Sequence, residues 1–444
     1  MSEHFDLIVR GGTCGTPAGI HPCDIAIRDS RIVALGALGS AEAVETIDAT
    51  GLTILPGVID TQVHFREPGM EHKEDLETGT RGAVLGGVTA VFEMPNTKPA
   101  TTNRAALEDK FERAKGRAWC DHAFFVGATE ENADELGELE LLPGAAGVKM
   151  FMGSSTGDLL VSESSAVAKV LANGVRRVSV HSEDEQRLKQ RYSLVANGAD
   201  VAMHPTWRDV TTAVDNTVRL LELAAQAHRR VHVLHITTAD EMDVLARHKD
   251  FATVEVTPQH LTLAAPDCYE RLGSRAQMNP PVRDEHHRQA LWRALDQGVV
   301  DVLGSDHAPH TLEEKQRPYP QSPSGMTGVQ TLLPIMLDHV NAGRLSLERL
   351  VDLASAGPAR IFNISRKGRI AVGYDADLAI VDLKAKRTIT DDWIASRAGW
   401  TPYDGVEVTG WPISTIVRGK HVVRDGELVG SPIGEPVRFL ETLA

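Results

Sequence analysis

The sequence has few cysteines and few aromatic residues. Among its 444 residues there are four cysteines, and aromatic side chains make up 5% of the chain. Cys14, Cys23, Cys120 and Cys268 are far apart and form no Cys-x-x-Cys pair. We therefore expect neither a disulfide scaffold nor a cysteine zinc site. Reduced thiols are typical of the cytoplasm, which is the location we predict.

Long apolar runs and an excess of positive charge are also missing. No apolar run reaches the about 18 residues that a membrane span needs, and the charged residues 1–10 do not resemble a signal peptide. The net charge is −15, and an acidic protein is repelled by nucleic-acid phosphates and by anionic membranes. We therefore expect a small-molecule substrate, with no nucleic-acid partner and no membrane partner.

The middle of the chain, residues 53–364, alternates short apolar runs with helical stretches such as 104–115, 214–227 and 285–297. Buried parallel strands are continuous apolar runs, and helices between them form βαβ units. Eight units predict a (β/α)8 barrel. An open, doubly wound sheet is the alternative, but no glycine-rich nucleotide motif follows any run. The predicted strands are 53–65, 89–95, 121–128, 147–152, 177–181, 231–236, 253–257 and 299–305.

Both ends of the chain contain short strand-like runs separated by glycine turns. These runs are 5–9, 24–27 and 31–36 at the start, and 368–370, 377–381 and 416–423 near the end. This pattern favours one composite β-sandwich built from both ends, with two unrelated β decorations as the alternative. The predicted division is 1–52 for the first part of the sandwich, 53–364 for the barrel, and 365–444 for the second part and a tail.

Polar side chains follow the predicted barrel strands, where a barrel carries its chemistry. A single histidine after an apolar run is more often an ordinary histidine than a ligand, but several at one rim indicate a site. Imidazole and carboxylate ligands suit Zn²⁺ or a similar divalent ion. The residues concerned are His64, Arg66, Asn96, His181, His235, Asp306 and His310.

Lys149 is unusual because apolar residues flank it on strand 147–152. Burial lowers the pKa of a lysine and makes its neutral amine available. A neutral amine can take up carbon dioxide and become a carbamate, and an anionic bridge of this kind suits two metal ions about 3.5–4 Å apart.

Specific motifs occupy several of the predicted strand ends. They are PGVID at 56–60, VHFREPG at 63–69, EMPNT at 93–97, MNPPVR at 278–283 and SDHAPHT at 305–311. The chain thereby resembles the amidohydrolase superfamily, and within it the class I dihydroorotases, over nearly its whole length to about residue 428. The resemblance implies a barrel with a composite β-sandwich. It also implies reversible hydrolysis of (S)-dihydroorotate to N-carbamoyl-L-aspartate in de novo pyrimidine biosynthesis.

The resemblance also implies roles for individual residues. His64 and Asp306 would bind one metal ion, His181 and His235 a second, and carboxylated Lys149 would bridge the two. A metal ion lowers the pKa of water and polarises a carbonyl. Asp306 would be the general base that passes the proton to the leaving ring nitrogen.

Substrate recognition is expected to depend on the carboxylate of dihydroorotate. Arg66 lies two residues after His64 and so faces the same mouth, and a guanidinium pairs bidentately with a carboxylate. By resemblance, Asn96 and His310 complete this clamp, and Asn279 holds the ring amide. The alternative for Arg66 is a surface salt bridge to a nearby glutamate; Asn96 and His310 would then be ordinary turn and loop residues.

Gln62 departs from the family pattern, which usually has His-x-His where this chain has Gln62-Val63-His64. A glutamine amide oxygen is a neutral and weak zinc ligand. We therefore predict a weakened first metal site and one or two Zn²⁺ ions per chain. A milder departure is Gln259-His260, where relatives often have two histidines.

Two alternatives to an active dihydroorotase stay open. One is another cyclic amidase, acting on hydantoins, dihydropyrimidines or allantoin, although these substrates give Arg66 no carboxylate to bind. The other is a catalytically silent subunit that partners aspartate transcarbamoylase, which Gln62 keeps open. A homodimer is also open. The polar stretch 311–327 is either a lid over the site or a static loop, and its charged residues 313–315 are expected to be solvated.

Overall fold

A computed structural model describes residues 4–155 and 159–443. The first seven strands alternate with tight turns. They are β1 (His4–Arg10), β2 (Thr13–Thr16), β3 (Gly19–Pro22), β4 (Asp24–Arg28), β5 (Arg31–Gly36), β6 (Glu42–Asp48) and β7 (Thr53–Pro56).

Eight further strands form the barrel. They are β8 (Val58–Val63), β9 (Val88–Glu93), β10 (Asp121–Gly127), β11 (Ala145–Phe151), β12 (Val178–His181), β13 (Val231–Val233), β14 (Ala252–Val256) and β15 (Val302–Leu303). Neighbouring strands are parallel and follow sequence order. A parallel bridge between Val63 and His307 brings the first and last strands together. The predicted barrel is confirmed.

The last four strands are β16 (Leu378–Thr388), β17 (Glu407–Val417), β18 (Lys420–Arg424) and β19 (Glu427–Leu428). The helices are α1 (Leu76–Leu85), α2 (Arg104–Ala114), α3 (Leu136–Leu139), α4 (Ser164–Ala172), α5 (Glu185–Arg191), α6 (His204–Trp207), α7 (Val210–Gln226), α8 (Ala239–Leu245), α9 (Pro258–Thr262), α10 (Asp267–Leu272), α11 (Glu285–Asp296), α12 (Leu312–Lys315), α13 (Leu332–Asn341), α14 (Leu347–Val351) and α15 (Gly357–Ile361). In the part of the chain that the structure describes, every helix is too short or too polar to span a bilayer.

The long barrel helices begin where side chains can cap them. Asn103, Asp209 and Asp284 precede α2, α7 and α11, and each accepts a hydrogen bond from a backbone N–H of the first turn. Such caps satisfy donors that have no partner inside a helix. These three helices match the predicted stretches closely.

The β-sandwich combines strands from both ends of the chain. One sheet has the order β5-β4-β1-β6, and the other has the order β19-β18-β17-β16-β7-β2-β3. In the second sheet β7 pairs antiparallel with β16, so that Pro56 lies opposite Leu378. Buried side chains from both ends, including Leu7, Ile54 and Ile416, pack into one cluster. The predicted composite sandwich is confirmed, while the exact domain limits stay a prediction.

Two predicted strands are wrong in detail. The run 53–65 is two strands, β7 in the sandwich and β8 in the barrel, separated at Gly57. A Cβ at Gly57 would lie 2.1 Å from Thr89 Oγ1, so the backbone turns there directly against β9. Residues 368–370 form no strand, and Ile370 instead supplies a buried side chain to the sandwich core.

Aromatic rings fill the barrel end opposite the predicted site. The ring centroid of Phe92 lies 5.4 Å from that of Phe362 and 5.7 Å from that of Phe439. The segment that carries Phe439 runs along the start of β10, where Val437 N donates to His122 O at 2.9 Å. This segment therefore completes the core at the base of the barrel.

We expect Phe439→Ala to lower the free energy of unfolding by about 3–5 kcal/mol, because it leaves a cavity among packed rings. Leu440, which is 57% exposed, is the matched control. Leu440→Ala should change the free energy of unfolding by no more than about 0.5 kcal/mol. Urea unfolding of both variants measures the effect. Equal midpoints for the two variants would contradict this role of Phe439.

Candidate active site

The predicted site residues meet at the C-terminal end of the barrel strands. One inner pocket is lined by Gln62, His64, Arg66, Asn96, Lys149, His181, His235, Asn279 and Asp306. His310 is the exception, since it does not line the pocket but lies behind Arg66. The barrel thus brings together polar side chains from most of its strands at one place.

Lys149 is buried in the wall of this pocket. Its side chain lies on β11 and the residue is 1% exposed, and its Nζ has no hydrogen-bond partner among the described residues. The Nζ lies 4.4 Å from the ring centroid of Phe151. Burial lowers the pKa of Lys149 to about 7. A large fraction of neutral amine is therefore present near neutral pH.

His181 and His235 present ring nitrogens to each other. His181 Nδ1 lies 3.1 Å from His235 Nε2. On its other side, His181 Nε2 lies 2.8 Å from Glu183 Oε2, and Arg208 holds that carboxylate through Nη2 at 2.6 Å. Burial lowers the pKa of both histidines. A carboxylate behind a histidine typically orients that ring toward a metal ion.

Asp306 receives two contacts on one oxygen. Gln62 Nε2 donates to Asp306 Oδ1 at 3.0 Å, and His64 Nε2 lies 3.2 Å from the same oxygen. His64 Nδ1 lies 2.8 Å from Asn96 Oδ1. Asp306 has φ +45°, a left-handed conformation that aspartate tolerates better than most residues, and it follows β15 directly.

Arg66 is a buried cation that pairs with no carboxylate in the part of the chain that the structure describes. It is 1% exposed, its Nε donates to Pro309 O at 3.1 Å, and its Nη1 has no hydrogen-bond partner in residues 4–155 and 159–443. Burial lowers its pKa to about 10. The surface salt bridge considered as an alternative is wrong, because Arg66 is buried, Glu67 pairs with Arg117 at 2.7 Å, and Glu71 lies 4.0 Å from Arg113 Nη1.

His310 lies behind Arg66 and is held by other groups of the protein. Its Nδ1 lies 3.2 Å from Lys73 Nζ, and its Nε2 lies 3.0 Å from Ser324 O and 3.2 Å from Arg66 Nη2. An ammonium only donates, so Nδ1 accepts from Lys73 and Nε2 carries the proton toward the carbonyl. Both ring nitrogens are therefore engaged by the protein.

An outer cavity of about 470 Å³ adjoins the inner pocket. The two share Ser155, Asn279 and Ser324. Leu188 and Trp207 form part of its wall, opposite the segment 320–324. The polar stretch 311–327 therefore reaches the mouth of the site.

Lys315 anchors this stretch from inside. It is 1% exposed, and its Nζ donates to Gln277 O at 3.1 Å, Pro323 O at 2.9 Å and Gly325 O at 3.0 Å. The expectation that 313–315 are solvated charges is therefore wrong for Lys315. A charged triplet on a four-residue helix gave no sign that its last member turns inward.

We expect Lys315→Met to speed hydrogen exchange across 318–326 and to change kcat, because three carbonyls lose their donor. The matched control is Glu313→Ala in the same helix, since Glu313 is exposed. Mass-spectrometric exchange and steady-state kinetics provide the two readouts. Faster exchange with unchanged kinetics would reject a lid role for this stretch.

The donors of the inner pocket fit a metal ion if Lys149 contributes as a carbamate. Nowhere in the described chain do three His, Cys, Asp or Glu side chains gather closely enough to hold one. The pocket does hold orphaned buried atoms, namely Lys149 Nζ, His235 Nδ1 and Gln62 Oε1. An ammonium cannot bind a metal, but its carbamate has two oxygens that can complete a set with two imidazoles.

Some residues of the site were not anticipated. Glu183 follows His181 by two positions, a spacing that could have indicated an orienting carboxylate. Arg208, Lys73 and His204 had no such signal, because they come from segments without a recognisable motif. His204 Nε2 lies 2.9 Å from Asn279 Oδ1 and so fixes that amide.

Comparison with known proteins agrees with this geometry. The profile of the Amidohydrolase family matches residues 53–422. The chain belongs to the amidohydrolase family. The sequence-based assignment to this family, the predicted enzyme class and the predicted fold are thereby confirmed.

Relatives of this amidohydrolase carry two names. The dihydroorotase of Methanosarcina acetivorans is 35% identical over 430 residues, which cover 93% of this chain and 91% of that protein. The L-hydantoinase of Paenarthrobacter aurescens is 33% identical over 441 residues, covering 96% of each. The solved L-hydantoinase from Arthrobacter aurescens superposes with a TM-score of 0.93 at 32% identity, covering 98% of this chain and 99% of that one.

Proposed function

We propose that this amidohydrolase is a dihydroorotase, which hydrolyses (S)-dihydroorotate reversibly to N-carbamoyl-L-aspartate in de novo pyrimidine biosynthesis. The observation that carries the proposal is Arg66, a buried guanidinium in the inner pocket whose Nη1 has no hydrogen-bond partner among the described residues. An uncompensated buried charge is costly. The ring carboxylate of dihydroorotate compensates it, whereas hydantoin and dihydrouracil have no carboxylate.

A divalent ion such as Zn²⁺, which His181, His235 and the carbamate of Lys149 would hold, would supply Lewis acidity and lower the pKa of water. Asp306 carries out the proton transfer. Its Oδ1 is held by Gln62 and His64, and the residue lines the inner pocket. Asp306 takes a proton from the attacking water and gives it to the ring nitrogen as the C–N bond breaks.

The remaining residues hold the substrate. Arg66 binds the carboxylate, with His310 behind the guanidinium and Asn96 in the pocket wall. Asn279 accepts from His204 through Oδ1, which leaves its Nδ2 to donate to a ring carbonyl. Two fixed donors on opposite sides of the ring keep the scissile amide near Asp306.

A hydantoinase activity is the second candidate. The outer cavity, walled in part by Leu188, Tyr192 and Trp207, suits a ring substituent larger and more apolar than a carboxylate. A silent subunit that partners aspartate transcarbamoylase is less well supported, because the described pocket retains its polar set. A homodimer and a cytoplasmic location belong to the same proposal, and four buried free thiols favour a reducing compartment.

Ring opening tests the assignment. Purified protein resupplied with zinc is given L-dihydroorotate, hydantoin and dihydrouracil in parallel. Turnover of dihydroorotate alone is expected. Preference for hydantoin would favour the second candidate, and inactivity on all three would favour the silent subunit.

A further inference from the structure

The orientation of the Gln62 side chain defines its chemistry. Gln62 is 1% exposed, and its Nε2 lies 3.0 Å from Asp306 Oδ1. The reversed amide would place its oxygen against the carboxylate, acceptor to acceptor. The amide nitrogen therefore faces Asp306, and Gln62 Oε1 is left without a hydrogen-bond partner among the described residues.

Gln62, His64 and Asp306 form a connected set without any added cation. Asp306 Oδ1 accepts from Gln62 and contacts His64 Nε2, while His64 Nδ1 contacts Asn96. Two contacts on one oxygen fix the rotation of the carboxylate. The carboxylate, which lines the inner pocket, is thereby held in one orientation.

The opposite side of the pocket is unsatisfied. Lys149 Nζ and His235 Nδ1 have no hydrogen-bond partner in the described chain. Because the Glu183 carboxylate only accepts, His181 Nε2 carries the proton toward it at 2.8 Å, and His235 Nε2 donates to His181 Nδ1 at 3.1 Å. Two imidazoles and a carbamate on Lys149 would offer one divalent ion a set of ligands on this side of the pocket.

We infer that Gln62 is a positioning residue: its amide N–H takes the place of a cation as the partner of Asp306, so the protein holds one metal ion, at Lys149, His181 and His235. Asp306 is then a free base with a fixed direction rather than a metal ligand. The role of Asp306 in proton transfer rests on the proposed function, whereas the metal count does not.

Metal analysis of the wild-type chain is the first test and needs no variant. Protein equilibrated with Zn²⁺ and then desalted should retain about one ion per chain by elemental analysis, and Co²⁺ titration followed by visible absorption should reach its end point at one equivalent. Two tightly held ions in the wild type would overturn the inference.

Substitution by histidine is the second test. Gln62→His should raise the retained metal toward two ions per chain, because imidazole is a strong ligand beside His64 and Asp306. The matched control is Gln259→His. Gln259 is also a buried glutamine with an unpartnered Oε1, and its replacement should leave the count at one. A rise in both variants would show that any added histidine recruits metal, and would reject a special role for Gln62.

Substitution by leucine separates positioning from ligation. Gln62→Leu removes the amide at similar volume. We expect kcat to fall about 10- to 100-fold with KM nearly unchanged, because a hydrogen bond to a charged group is lost, and the metal count to stay at one. A drop from two ions to one in Gln62→Leu would instead identify Oε1 as a ligand. If the wild type holds one ion per chain but turns over none of the substrates, the proposed function is contradicted and the inference about the metal count is supported.

Discussion

Lys149→Ala is expected to abolish metal retention and to lower turnover by about 1,000-fold or more, since the metal ion supplies several kcal/mol of transition-state stabilisation. The physical reason is the donor set. Two facing imidazoles alone hold a divalent ion weakly, and the carbamate of Lys149 on β11 would complete the proposed site. Elemental analysis and dihydroorotate kinetics are the measurements.

We do not expect unfolding to be the cause of the lost turnover in Lys149→Ala. Lys149 Nζ has no partner in the described residues, so Lys149→Met should leave the metal-free protein at least as stable as the wild type, because it removes an unpaired buried amine. Lys169→Ala, at a partly exposed lysine of α4 paired with Asp134, is the control and should retain metal and activity. Normal turnover in Lys149→Ala would remove the carbamate from the proposal.

Arg66→Met is expected to change substrate preference. For dihydroorotate we expect kcat/KM to fall about 30- to 5,000-fold, corresponding to about 2–5 kcal/mol for a truncated buried charge pair. Any turnover of hydantoin should persist, because hydantoin has no carboxylate for Arg66 to bind. The ratio of kcat/KM for the two substrates is the decisive quantity.

Two further variants complete this test. Arg66→Lys keeps the charge but loses the planar guanidinium. Its kcat/KM for dihydroorotate should therefore lie between those of the wild type and Arg66→Met. Arg113→Met removes a partly exposed arginine that pairs with Asp109 and should behave as the wild type. Equal losses on dihydroorotate and hydantoin would assign Arg66 a structural role.

The barrel could be predicted because its strands are buried on both faces and therefore appear as uninterrupted apolar runs. The same property explains the error at 53–65. There the chain leaves the sandwich and enters the barrel without a polar residue between the two strands, and Gly57 is the only local sign. Residues 368–370 have strand composition, but Ile370 is buried by packing rather than by pairing.

The candidate site was predictable where a residue lies at the C-terminal end of a strand or within three residues after it. Examples are His64, His181, His235 and Asp306. The C-terminal ends of barrel strands meet at one rim, independently of the conformation of the loops. Sequence does not give the direction of a loop side chain, so His310 was expected in the pocket and lies behind Arg66. Lys315 turns inward toward carbonyls that are brought together only by the fold.

The shared sheet of the sandwich has a consequence for the order of synthesis. β7 is made before the barrel, but its partner β16 follows more than 300 positions later. At about 5–20 residues per second, a ribosome needs about 15–60 s for that interval. Throughout it, the edge of β7 is without its partner strand, and unpaired edges invite aggregation. Nascent chains should therefore depend on chaperones until β16 emerges, and slowing translation should lower the soluble yield.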